Sequence, residues 1–342
     1  MRDPILSVEQ EGTFPIRHHR YALPILVAVI VAAVLVASAP VEAAGKRRMA
    51  LGISSRNQSI GEFTASADGH VPALWTLWST WGNRFTKAFP TRAVKALPAR
   101  ATPFIFWEPG RDPNTCTVHS KLRNIANGRF DGYVRNWARA AKRTKRTVIV
   151  RFAHEINGRF FPWTIGRCGN KRTHYLRAWR RVHDIVRKQV GARNVKFAWT
   201  VNRNKPGRGF GKNPYARFFP GARYVQYMGF SSFNWGEVDG KDWKPMLKGV
   251  RSITKQLMKL SKKPIIVAEL ASNHIGGNKA AWIRDGYRAV YRKLPRIKGI
   301  IYLNVNLTGI GHPDWRLTTP SSAMAAYIDL LDQPRFRGRI GR

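Results

Sequence analysis

The chain has 342 residues, 44% hydrophobic and 11% aromatic, with 60 Lys and Arg against 19 Asp and Glu and a formal net charge of +41. So much apolar side chain excludes an intrinsically disordered protein, and two cysteines are too few for a thiol-rich metal or disulfide scaffold. The positive excess predicts attraction to polyanions such as an anionic cell-wall polymer, although its even spread along the chain also fits a solvated basic surface.

Residues 23–39, LPILVAVIVAAVLVASA, form an uncharged run after Arg17-His18-His19-Arg20, with small-residue cleavage patterns at 37–39 and 41–43. The run reads as a secretory signal, or as a retained signal-anchor because it is near the shortest length that spans a bilayer. Either reading makes residues 1–44 an export segment and predicts a secreted or surface-anchored protein, with membrane contact only through 23–39 if it is uncleaved. In an oxidising compartment Cys116 and Cys168, both in polar loop-like contexts, are expected to pair.

Eight near-continuous apolar runs follow, at 49–54, 71–78, 102–108, 147–154, 195–202, 224–231, 264–270 and 299–305. Continuous rather than alternating apolarity suits parallel strands covered on both faces. Residues 55–70 are polar and give a weak helix. Amphipathic helices are predicted at 130–143, 173–190, 244–260, 278–294 and 321–332, so strand and helix alternate in βαβ order. Eight such units favour a (β/α)8 TIM barrel of the α/β class over an open doubly wound sheet. Gly207–Lys212, GRGFGK, lacks the Ser or Thr of a phosphate-binding loop and reads as a plain loop. The expected organisation is one barrel domain over 45–335 and a short basic tail, 336–342, with the protein acting as a monomer.

In such a barrel chemistry sits at the C-terminal ends of the strands. Of the five glutamates after residue 43, Glu108, Glu155 and Glu269 fall at the ends of the third, fourth and seventh predicted strands. Gly158 stands where a zinc protease motif starting at His154 would need its second histidine, and there is no G-x-S-x-G elbow. Neither a metal nor another cofactor is expected. Two strand-end carboxylates suit glycoside hydrolysis, in which one delivers a proton and the other attacks or activates water.

RFAHEINGRFFPW (151–163) resembles the signature of glycoside hydrolase family 26, whose members include β-mannanases and β-1,3-1,4-glucanases. The likeness extends through TPFIFWEP, GFSSFNWG, KPIIVAELAS and DWRL, over roughly 48–332. It implies a (β/α)8 barrel and a retaining endo-β-glycosidase with Glu155 as acid/base and Glu269 as nucleophile, on a β-mannan or mixed-linkage β-glucan. By the same likeness His154 supports the acid/base and the sugar. Trp163 and Trp235 are candidate sugar platforms and Phe160 stands where relatives often carry Trp, while Glu108 and Asn202 would hold substrate or shape the groove. The chain departs at Phe233, where the family has a tyrosine whose hydroxyl contacts the nucleophile, and at Ser231, where an acid is common. These departures leave room for a catalytically weak carbohydrate- or polyanion-binding protein on the same barrel. Specific nucleic-acid binding has only charge in its favour, with no recognition motif.

Overall fold

The computed structural model describes residues 47–82, 89–110, 115–203 and 213–341. The expected export segment and the 207–212 loop lie outside them. Eight parallel strands pair in chain order and close into a barrel: β1 (Ala50–Ser54), β2 (Leu74–Thr80), β3 (Thr102–Glu108), β4 (Val148–Phe152), β5 (Val195–Asn202), β6 (Tyr227–Asn234), β7 (Ile265–Ser272) and β8 (Ile297–Leu303). The predicted (β/α)8 fold is what forms. Its interior is filled in layers, with Leu74, Phe104, Ile149, Ala198, Ile266 and Ile301 in one apolar cluster.

Helices α1 (Ile60–Ser66), α2 (Thr91–Ala96), α3 (Leu122–Ala126), α4 (Asp131–Arg143), α5 (Arg172–Asp184), α6 (Met246–Met258), α7 (Lys279–Lys293) and α8 (Ser322–Asp332) occupy the connections. The weak helix expected in 55–70 is a real one, α1. Ser59 accepts a bond from the Glu62 amide (3.2 Å) and Glu62 accepts one from the Ser59 amide (2.7 Å), a capping box that satisfies two otherwise orphaned donors. The longer helices follow their apolar faces: α4 buries Val134, Trp137, Ala138 and Ala141, while Arg139 stays outside. The stretch predicted as one helix over 173–190 is α5 followed by a π-helical turn at Ile185–Gln189.

Two braces set the rims. Cys116 and Cys168 are disulfide-bonded with Cα atoms 5.5 Å apart, joining the loop after β3 to the loop after β4. Asn170 reinforces the link, donating to the Ser120 and Pro162 carbonyls (2.8 and 3.1 Å) and accepting from the Leu122 amide (2.7 Å). At the opposite rim the expected basic tail is not a tail. Residues 336–341 lie across the N-terminal strand ends, where the Thr102 and Thr147 hydroxyls donate to the Ile340 and Gly341 carbonyls (3.1 and 2.7 Å) and the Gly338 amide to Met49 (3.0 Å). Ile340 is buried in the interior cluster and plugs the barrel floor. Charge-counting missed this because one apolar residue among arginines carries the packing.

Ile340→Ala is expected to cost about 2–4 kcal/mol through the cavity it leaves under the strands, read as a lowered midpoint in urea unfolding, whereas Arg335→Ala should be nearly silent.

Candidate active site

The site is built on Arg151. Its position in β4, two residues after Ile149, puts the side chain in the layer above the apolar interior cluster, and it is fully buried with its guanidinium 4.6 Å from the centre of the Phe106 ring. Four of its five N–H groups are accounted for. Nε donates to Thr200 (2.7 Å), Nη1 to Glu269 Oε2 (2.7 Å), and Nη2 to Ser231 Oγ (2.7 Å) and Glu155 Oε1 (3.3 Å). One guanidinium therefore holds both glutamates that the sequence singled out.

Each glutamate reaches it by a local departure from regular strand geometry. β4 ends at Phe152, and Ala153 and Glu155 then take left-handed backbone angles, φ 39° and 52°. That conformation costs a non-glycine residue about 1–2 kcal/mol, and surrounding bonds hold it: Glu155 N–H donates to the Thr200 carbonyl (3.1 Å), and Trp163 Nε1 to the His154 carbonyl (2.8 Å). Glu269 lies inside β7, not at its end. The register of β7 breaks against both neighbours, between Phe230 and Ser231 on β6 and between Val267 and Leu270 on its own strand against β8. Such an irregularity re-aims a side chain, and it lets Glu269 face the mouth although its neighbour Ala268 already faces the interior.

The electrostatics follow from burial around one cation. Burial pushes the Glu269 carboxyl above its ordinary range. The charge of Arg151 pulls it down, that of Glu155 pushes it up, and the Arg151 hydrogen bond lowers it again. Ser231 also donates to Glu269 Oε2 (3.3 Å), and Asn202 Nδ2 donates to Glu155 Oε2 (2.9 Å). Asn202 is fixed by a reciprocal pair with Asn157, at 2.9 and 2.8 Å. Glu269 has the shorter contact with the guanidinium, 2.7 Å against 3.3 Å for Glu155, and each carboxyl has one further donor, Ser231 for Glu269 and Asn202 for Glu155. Glu108, at the end of β3, is pushed to about 7 by burial, which Arg56 opposes and Glu269 reinforces, and Thr80 donates to it at 3.4 Å.

A cavity of about 360 Å³ opens over the pair, with Glu155, Glu269 and Asn202 at its base and Phe160, Phe233 and Trp235 on its walls. Two expected contacts are placed otherwise. Trp163 is 2% exposed with its indole N–H already committed, so it is no sugar platform. It backs Phe161, stacked on it at 4.7 Å and 3°, and Phe161 with the exposed Phe160 forms that wall. His154 is buried edge-on to Phe106, Phe161 and Trp163, outside the cavity lining, and its Nδ1 has no partner among the described residues. Burial first, then the charges of Arg151 and Arg56, hold its imidazole well below the ordinary range, so it is neutral. Trp315 is 1% exposed yet contributes to the cavity lining, packed against Phe233. Arg151 was missed, although a lone arginine within VIVRF was a legible signal. Arg203 and His312 join the lining from loops whose approach no local pattern encodes. Among the described residues no group of three or more His, Cys, Asp or Glu is placed to hold a metal.

The sequence profile of glycosyl hydrolase family 26 matches residues 117–292. The chain belongs to this family. It is 34% identical over 231 residues to Endoglucanase H of Acetivibrio thermocellus, which covers 66% of this chain and 24% of that one, and 24% identical over 128 residues to the Beta-1,3-xylanase TXYA of a Vibrio species, covering 36% and 26%. The chain thus spans about a quarter of the length of the curated relatives it matches. Among solved structures it is similar to the catalytic domain of the family 26 endo-beta-1,4-mannanase of Bacillus sp. JAMB-750, with a TM-score of 0.62, 16% identity and coverage of 86% and 88% of the two chains. At that identity the likeness is one of fold, the barrel already described.

Two outcomes test these electrostatics. Arg151→Met is expected to lower kcat by about two orders of magnitude and to move the acid limb of kcat/KM to higher pH, because the cation that draws Glu269 down is gone. Glu108 holds its proton more tightly folded than unfolded. Its stabilising contribution is therefore full below the ordinary value near 4.5 and lost as pH rises through about 7. Denaturant midpoints measured from pH 5 to 8 should fall less for Glu108→Gln than for the wild type.

Proposed function

We propose that the protein is an exported, retaining endo-β-glycosidase acting on a β-linked polysaccharide. The observation that carries this is the pair Glu155 and Glu269 on one buried guanidinium, at the base of an aromatic-walled cavity at the C-terminal end of the barrel. A single guanidinium spanning both acids favours the close spacing of retaining enzymes, about 5 Å, over the wider gap that inverting enzymes leave for water.

In the first step Glu269, as carboxylate, attacks the anomeric carbon while Glu155 gives its proton to the glycosidic oxygen and that C–O bond breaks. In the second, Glu155 takes a proton from water, whose oxygen displaces Glu269 from the same carbon. The stereochemistry is retained and both carboxyls return to their starting states. Loss of the family's tyrosine hydroxyl at Phe233 removes one donor to the nucleophile, and the hydroxyl of Ser231 at 3.3 Å supplies another. Phe160, Phe161 and Trp235 offer apolar faces to sugar rings. The 34% identity to an endoglucanase favours a β-glucan over a β-mannan as substrate. Export is supported by the Cys116–Cys168 bond, which persists in an oxidising compartment.

Barley-type mixed-linkage glucan, β-1,4-mannan and β-1,3-xylan should be digested side by side, with anomers followed by proton NMR. Internal cleavage with β products first is expected on the glucan, with a loss of about 10³-fold or more in Glu155→Ala and Glu269→Ala. Azide should restore turnover to both variants, giving an α-glycosyl azide from Glu269→Ala and a β-glycosyl azide from Glu155→Ala. Binding without any cleavage of the three polymers would replace this reading with that of a carbohydrate-binding barrel.

A further inference from the structure

A second concavity lies far from the glutamate pair. A bowl of about 540 Å³ lies at the N-terminal end of the barrel, lined by Arg48, Arg100, Arg337, Arg339 and Pro334. The four arginines come from three separate stretches: Arg48 precedes β1, Arg100 precedes β3, and Arg337 and Arg339 lie on the strap that crosses the floor.

Their convergence is enforced by packing. Ile340, between Arg339 and the end of the chain, is held in the interior cluster, and Gly338 passes so close to the Met49 backbone that a side chain there would meet it at 2.6 Å. The strap cannot move its arginines away without unplugging the barrel. Compensation is sparse. Arg337 donates to the Leu331 carbonyl (2.8 Å) and faces Asp332 at 3.6 Å, a carboxylate also shared with His70 (3.0 Å). Among the described residues Arg48, Arg100 and Arg339 make no ion pair and no side-chain hydrogen bond. Arg100 is partly buried and its positive charge is disfavoured, first by burial and then by Arg339, Arg337 and Arg48. Like charges gathered this way with little acid among them are relieved by a bound anion.

We propose that the floor of the barrel is a docking site for an acidic polysaccharide, the arginines taking ring carboxylates while Pro334 and the arginine stems cover the apolar face of the sugar. Planar guanidiniums bind carboxylates in paired hydrogen bonds, and their stems pack as hydrocarbon. A nucleic acid is disfavoured because no exposed aromatic ring lines the bowl for a base to stack on; Phe336, the nearby ring, is buried. The site lies at the end of the barrel opposite Glu155 and Glu269, so docking leaves the catalytic cavity open and holds the enzyme in an anionic matrix.

The test measures binding of the full chain to polygalacturonate, poly(glycerol phosphate), a 16-base-pair DNA duplex and vesicles containing anionic lipid, at two salt concentrations. A triple variant, Arg48→Gln, Arg100→Gln and Arg339→Gln, is compared with a control that removes equal charge from exposed positions of α6, Lys248→Gln, Arg251→Gln and Lys255→Gln. The floor variant is expected to bind polygalacturonate roughly tenfold or more weakly, with a shallower salt dependence, and the control to bind within about twofold of wild type. Arg100→Gln alone keeps the comparison readable should the triple variant fold poorly. Equal losses in floor variant and control would reduce the effect to net charge and overturn the proposal. Tighter floor-dependent binding of the phosphate polymer, the duplex or the vesicles than of polygalacturonate would overturn the assignment to an acidic polysaccharide. The readout is binding, so its outcome stands apart from whether the chain cleaves glucan.

Discussion

A guanidinium with no exposure to water needs its charge matched from inside the fold, and Arg151 is matched by the two glutamates proposed to carry the chemistry. Its hydrogen bonds tie β4 to β5 through Thr200, to β6 through Ser231 and to β7 through Glu269. The placement of the glutamate pair and the charge balance of the barrel's upper layer are thus one interaction. Moving either glutamate out of position would leave a buried cation short of a partner, which is a far larger penalty than the backbone strain at Ala153 and Glu155.

The two departures from the family pattern gain meaning around that cation. With serine at 231, Arg151 has two carboxylates to balance and not three, so less negative charge crowds Glu269 and its ionised form is easier to keep. With phenylalanine at 233, one hydroxyl that would have favoured the same ionised form is missing. The effects oppose each other, and the Ser231 hydroxyl further narrows the difference by donating to Glu269 directly. The aromatic wall has a comparable division of work. Trp163 is a buried backing that fixes His154 through a backbone carbonyl and supports Phe161 by stacking, which leaves the phenylalanines to face the cavity.

The two ends of the barrel differ in chemistry. The mouth holds carboxyls, an amide and aromatic rings, while the floor gathers guanidiniums around Pro334. Parallel topology makes that separation natural, since loops at the C-terminal strand ends vary independently of the residues that lead into the strands. A net charge of +41 is therefore not only a diffuse property of the surface; part of it is concentrated where the chain's last residues are pinned beneath the strands.

The sequence by itself determined the eight strands, their parallel order and the two glutamates, because unbroken apolar runs between amphipathic helices have few other solutions and acids are rare in this chain. The RFAHEINGRFFPW stretch carried the family. What only the tertiary structure decided are relations between distant residues. Arg151 meets Glu269 across 118 positions, and a register break rather than a strand end aims that glutamate. Trp163 and Phe161, two residues apart with similar chemistry, part ways into backing and wall because burial depends on which face the loop turns inward. Residues 336–341 read as a basic tail and became the floor, since one buried isoleucine and three backbone carbonyl contacts outweigh the arginines around them. Local pattern records what a residue prefers; closure of the barrel settles which of those preferences are met, and by whom.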